Sequence, residues 1–155
     1  MSEDISGGPH LSAAFLCEKV LREPDGVLSF IRVVDRFIRP KQLPVGAQIL
    51  PLQVMAVASF KCGDLPTGHY KIKLRLNRPD PLAPPMIDVE NDIFVEGGAD
   101  HGFAVVSPLV LNLDSEGLYW FDVYFEGRMV TRVPIRVLLV SMPSAGMQPG
   151  PPLGA

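Results

Sequence analysis

Residues 114–128 read DSEGLYWFDVYFEGR, and the alternation inside this stretch decides the fold. Tyr119, Phe121, Val123 and Phe125 occupy the odd positions and form an apolar face, whereas Leu118, Trp120, Asp122, Tyr124 and Glu126 point the other way. Successive side chains of a strand alternate between its faces, so this period of two predicts a strand with one dry face. The next stretch repeats the pattern, with Val133, Ile135, Val137 and Leu139 as the matching inward set. Gly127, Arg128 and Met129 read as a three-residue hairpin loop between the two strands. That loop sets a register with Trp120 opposite Arg136, Asp122 opposite Pro134 and Tyr124 opposite Arg132. Aromatic–arginine pairs of this kind contribute about 0.5 to 1 kcal/mol each at an exposed site. Tyr, Trp and Arg are also the residue types enriched at protein interfaces.

Outward from this hairpin, HYKIKLRLN at 69–77 alternates Tyr70, Ile72, Leu74 and Leu76 with His69, Lys71, Lys73 and Arg75. The loop RPDPLAPP at 78–85 has four prolines, which cannot donate to a central ladder. A strand follows near 86–95, whose Asp88, Glu90 and Asp92 share one face and oppose Lys71, Lys73 and Arg75 if the two strands pair. Strands are also expected near 101–113, 118–126 and 130–140. Upstream, SAAFLCEKVL at 12–21 and VLSFIRVVDRFI at 27–38 flank REPDG, where Pro24 presets φ and Gly26 admits a positive φ, so this is a hairpin. ILPLQVMAVASF at 49–60 contains Pro51 and, at twelve residues, falls short of the roughly 20 a membrane-spanning helix needs. It reads as a buried strand. Turn signals recurring about every ten residues indicate an all-β sandwich or barrel.

The 155-residue length fits one domain. The expected divisions are a flexible N-terminus at 1–10, a β-sandwich domain at 11–140, and a disordered Pro/Gly-rich tail at 141–155 with too little apolar surface to offset ordering entropy. A net charge of -3 and a pI near 5.5 supply no field for phosphate backbones, which disfavours nucleic acid as a partner. MSEDISGGPH lacks the basic and apolar runs of a secretory signal, and Cys17 and Cys62 are the only cysteines, so the expected compartment is the cytoplasm, with both thiols reduced and no membrane association. A mean hydropathy of +0.22 with 47% apolar residues leans beyond an ordinary soluble domain and points to cover by another subunit.

His10, His69 and His101 do not pair with each other or with cysteine at metal-ligand spacing, so no metal is expected. Asp88, Glu90 and Asp92 lack the glycine and terminal glutamate of an EF-hand loop. His101 in GGADHG serves as a general base only if a nucleophile such as Ser107 approaches it, and Asp100, its neighbour on an extended chain, points away from it. No phosphate-cradling glycine motif and no nucleophile elbow occur. The lysines of the basic strand read first as edge protection and second as an anion-binding stripe.

Several segments together resemble a family of small uncharacterised bacterial proteins of unknown function: AAFLCEKV, GVLSFIRVVDRF, the link and strand ending in ILPLQVMAVASF, GHYKIKLRL, and EGLYWFDVYFEGR with VPIRV. The resemblance spans residues 13–140 and implies an all-β, immunoglobulin-like antiparallel β-sandwich of about seven to nine strands, with no assigned activity. Where that pattern carries a glycine after the isoleucine of LSFI this chain has Arg32, a departure that bears on a local twist or bulge. DSEGLY also resembles the corner of immunoglobulin-type domains, which implies that the Tyr119 hydroxyl bonds back to the preceding loop.

The functional expectation is a non-enzymatic protein-interaction module, an adaptor or a subunit of a homo-oligomeric assembly, without a cofactor. Its partner-binding residues are Trp120, Tyr124, Arg132 and Arg136, with Leu118 and Leu138 extending the apolar edge. The alternatives are a small-ligand binder using a cleft at one end of the sandwich, or a hydrolase centred on His101.

Overall fold

A computed structural model describes residues 7–48 and 50–141. Among the described residues nine strands follow one another: β1 (His10–Arg22), β2 (Leu28–Val34), β3 (Arg36–Pro40), β4 (Leu52–Lys61), β5 (Gly68–Asn77), β6 (Ile87–Val95), β7 (Gly102–Leu111), β8 (Gly117–Phe125) and β9 (Arg128–Val140). They form two sheets, ordered β2-β1-β4-β7 and β3-β9-β8-β5-β6. The all-β expectation holds. The expected tail lies outside the described residues except for Ser141, and residues 1–6 of the expected N-terminal segment lie outside them as well.

Two features depart from the sequence reading. The expected single strand at 27–38 is divided at Asp35, so that β2 belongs to the first sheet and β3 to the second. The crossing lets β3 run parallel to β9, Arg36–Pro40 alongside Arg136–Val140, and this one pair breaks the otherwise antiparallel arrangement. The Asp35 carbonyl accepts a bond from the Arg136 amide at 2.9 Å, which joins the crossing to the ladder it enters.

The core lies between the sheets because alternation directs one row of each strand inward. Ile72, Leu74, Leu76, Tyr119, Phe121, Val123, Ile135 and Val137 face Leu16, Val54, Ala56, Ala58, Phe60, Leu109 and Leu111, all buried. Each large aliphatic or aromatic side chain so removed from water stabilises the fold by about 1.5 to 3 kcal/mol. At one end, Phe60 stacks on Phe103 with centroids 5.0 Å apart, and Phe125 lies 6.0 Å from Phe60 and 5.4 Å from Tyr70.

β1 pairs with β4 only as far as Cys17 opposite Met55; beyond that it continues with β2 alone to the turn. The far part of this hairpin bends over the outer face of the first sheet. Its turn, Gly26–Leu28, borders the same cavity as Ser59–Lys61 and Gly102–Ala104, and Phe30 meets Phe15 edge-on at 4.9 Å. Cys17 and Val57, both on the outward parity of their strands, are consequently buried. Arg32 has φ 53°, in the left-handed region. The conformation suited to glycine is therefore kept with an arginine in place.

Candidate functional site

The β8–β9 hairpin turns on Glu126 and Gly127, with φ 47° and 77°. Two successive left-handed residues are what a two-residue type I′ hairpin requires, because that turn matches the right-handed twist of its strands. Phe125 accordingly stands opposite Arg128, and a bulge beside Val123 and Tyr124 inserts Val130 as an extra residue on β9. The three-residue loop read from the sequence does not form, and the register differs by three residues at Tyr124 and by two beyond the bulge. Trp120 faces Pro134 rather than Arg136, Asp122 faces Arg132 rather than Pro134, Tyr124 faces Met129 rather than Arg132, and Leu118 faces Arg136. The turn alone would have inverted the faces; the bulge restores the parity, so the inward set is unchanged.

The corrected register creates a contact that the sequence reading did not contain. Asp122 is wholly buried although it lies on the outward face. Arg132 donates to it twice, Nε to Oδ1 and Nη2 to Oδ2, each at 2.8 Å, and Asn77 Nδ2 donates to Oδ2 at 2.7 Å. These bonds favour the charged guanidinium and push the Arg132 pKa up. Arg75, opposite Asp122 on β5, donates to Asp88 Oδ2 on β6 at 3.1 Å and is raised for the same reason. Arg132, Asp122, Arg75 and Asp88 thus alternate in charge across β9, β8, β5 and β6.

The aromatics border this row. The Arg132 guanidinium lies 5.4 Å from the centroid of Trp120, and that of Arg75 lies 5.4 Å from Tyr124. Each expected aromatic does meet an arginine, but the partners are Arg132 for Trp120 and Arg75 for Tyr124. Arg136 and Leu138 lie toward the other side of the face, beside Arg36 and Ile38 of β3. Ile38 is 63% exposed, and Leu118 and Leu138 are half-buried. Among the described residues, neither Arg36 nor Arg136 has a carboxylate within 4.0 Å. Asn77, Arg75, Arg36 and Ile38 were missed because strand order, not local pattern, brings them to this face.

β5 and β6 pair as expected, with Lys71, Lys73 and Arg75 opposite Asp92, Glu90 and Asp88. Arg75 bridges its direct partner, whereas Lys71 reaches the diagonal Glu90 at 3.6 Å and His69 reaches Asp92 at 3.1 Å. His101 sits in the loop before β7, its Nδ1 3.3 Å from the Glu96 carbonyl and its Nε2 4.0 Å from Asp100. Ser107 lies in the middle of β7 with its side chain on the core face. At about 3.3 Å per residue along a strand the two are not brought together. Near the end of the sandwich where β3 and β9 finish, Arg39, Leu43, Leu50, Leu113 and Leu139 border a cavity of about 240 Å³. Among the described residues no three His, Cys, Asp or Glu side chains are grouped to hold a metal, and no helix is long and apolar enough to cross a membrane.

Comparison with curated proteins finds no match to this chain. A family model does match, over residues 12–138, which takes in every strand but the first two residues of β1 and the last two of β9. The chain belongs to the family of unknown function DUF6941.

Proposed function

We propose that the chain is a non-enzymatic protein-interaction module of immunoglobulin-like build, acting in the bacterial cytoplasm as an adaptor or as a subunit of a homo-oligomeric assembly. Two observations support the immunoglobulin-like reading. The last strand runs between β8 and a parallel β3 that has crossed from the other sheet, and Tyr119 at the start of β8 bonds back to the loop before it. Two buried free thiols suit a reducing compartment.

The observation that carries the reading is the outer face of β8 and β9. Trp120 and Tyr124 are held by arginines that are themselves fixed to carboxylates, so a partner meets side chains with little rotamer freedom left to lose. Beside them, Arg136 has no carboxylate among the described residues and lies next to Leu118 and Leu138. Two aromatics, half-buried leucines and an arginine with no ion-pair partner among the described residues make an interface composition.

Native mass spectrometry of the chain purified from its own host tests this. A stoichiometric partner or second copy should be present with the wild type and absent with Arg136→Glu/Leu138→Glu, while circular dichroism shows both folded. A wild-type chain that stays a lone monomer at micromolar concentration, or a complex indifferent to the double change, overturns the proposal.

A further inference from the structure

β4 runs from Leu52 to Lys61, yet its pairing with β1 ends at Met55. The bend that sends the β1–β2 hairpin over the outer face strips one edge of β4. Leu52, Gln53 and Val54 keep β7 on one side and have no strand on the other. Among the described residues, no backbone bond outside the ladders reaches these three. A row of backbone groups without a partner is a template for another strand.

This bare edge opens into a groove between the two sheets, where the chain crosses at Asp35. Its volume is about 450 Å³, and Val34, Phe37, Leu52 and Val54 give it an apolar floor that continues the core. A second hollow of about 260 Å³ lies across β4 toward Pro108 and Val110 of β7, sharing Glu18, Gln53 and Val54 with the first. The rim carries two arginines, Arg32 and Arg36, against one carboxylate, Glu18. Arg36 has no carboxylate within 4.0 Å among the described residues and stands opposite a second arginine, Arg136. Arg32, bridged to Glu18 at 3.3 Å, is held there on a left-handed backbone that a non-glycine residue rarely adopts.

We infer that this groove takes an extended peptide whose carboxylate and apolar side chains alternate, added as a strand to the bare edge of β4. The backbone of the peptide supplies the missing ladder bonds, its apolar side chains enter the floor over Phe37 and Val54, and its carboxylates meet Arg36 and Arg32 at the rim. A strand advances about 3.3 Å per residue, so the three bare residues span about 10 Å and pair with roughly three residues in the middle of the peptide. Recognition of this kind divides the work: main-chain bonds supply affinity, and pockets for alternate side chains supply specificity. The groove opens on the flank of β3 away from β9, so the inference does not rest on the outer face of β8 and β9.

The test is a titration of the isotope-labelled full chain with the blocked hexapeptide (Glu-Val)3, followed by amide NMR. Chemical-shift changes should centre on Leu52–Val54 and on residues 32–38, with saturation in the micromolar to millimolar range. Arg36→Glu should weaken binding by about ten-fold or more, and Arg36→Lys should recover part of it. The lysine counterpart (Lys-Val)3, and a hexapeptide with a central proline that cannot donate to the ladder, should bind detectably less. No shift at these amides with millimolar peptide, equal binding of the lysine peptide, or indifference to Arg36→Glu would overturn the inference. A Trp120→Ala/Tyr124→Ala chain, altered on β8 away from β3, should bind the peptide as the wild type does, so failure of the outer-face interface leaves this result readable.

Discussion

Asp122 is wholly buried on the outward face of its strand, and Arg132 roofs it with two bonds of 2.8 Å each. Removing the roof leaves the carboxylate with Asn77 as its remaining side-chain donor among the described residues and Arg75 opposite it. Because the Arg132 side chain is 47% exposed, water can enter in its place, and the cost falls below that of a fully buried pair. Arg132→Ala should destabilise the domain by about 2 kcal/mol in urea denaturation. Arg132→Lys should recover only part of this, since an ammonium cannot present two parallel donors. A midpoint unaffected by the alanine would show that the pair contributes nothing net.

Tyr119 is buried and its hydroxyl donates to the Ser115 carbonyl at 3.0 Å, with Ser115 Oγ at 2.9 Å. Tyr119→Phe should cost about 1 kcal/mol, one net hydrogen bond with its acceptor left partly dry. Equal stabilities in chemical denaturation would mean that water replaces the hydroxyl without loss.

Arg32→Gly relieves the left-handed backbone at φ 53° and gives up an exposed ion pair with Glu18, 74% and 48% exposed. Exposed pairs are worth little, while the strain is about 1 to 2 kcal/mol and the added freedom of the unfolded glycine takes back part of the gain. The expected outcome is a stability equal to the wild type or up to about 1 kcal/mol higher. A loss of more than that would mean that the arginine side chain holds the hairpin in place.

Burial pushes the Cys17 thiol pKa up, opposed only in part by a backbone hydrogen bond with Lys19. The folded state therefore holds the thiol proton more tightly than the unfolded state. This contribution to stability is complete at neutral pH and is lost as pH rises past the ordinary thiol value of 9.0 through the raised folded one. Ellman's reagent should label Cys17 at pH 7.5 only after denaturant is added. Prompt labelling of the folded chain would show that the hairpin lifts readily from the sheet.

The pairing of β5 with β6 was legible because Lys71, Lys73 and Arg75 alternate against Asp88, Glu90 and Asp92 on strands joined by one loop. The register of β9 on β8 was not, because apolar alternation has a period of two and looks the same after a two-residue slip. What fixes it is the left-handed pair Glu126 and Gly127 together with the extra Val130, and a glutamate gives no local sign that it will take that conformation. The loop-based register sets Asp122 opposite Pro134 and Arg132 opposite Tyr124, which hides the pair that buries the carboxylate. β3 was hidden inside an apparently continuous strand, since only tertiary packing divides the chain at Asp35.

The parallel run of β3 beside β9 bears on how the domain carries load. His10 lies opposite Lys61 at the end where Phe60 and Phe125 meet, and β9 begins at that end and leaves at Val140 beside Lys41. Tension applied through residues 7 and 141 therefore draws β9 lengthwise past β3. Arg36–Pro40 and Arg136–Val140 are strained in shear together rather than opened one after another. Pulled from the β8–β9 turn, the same strand would peel. Single-molecule stretching should need more force along the first direction than the second, which makes the short crossing strand a mechanical clamp.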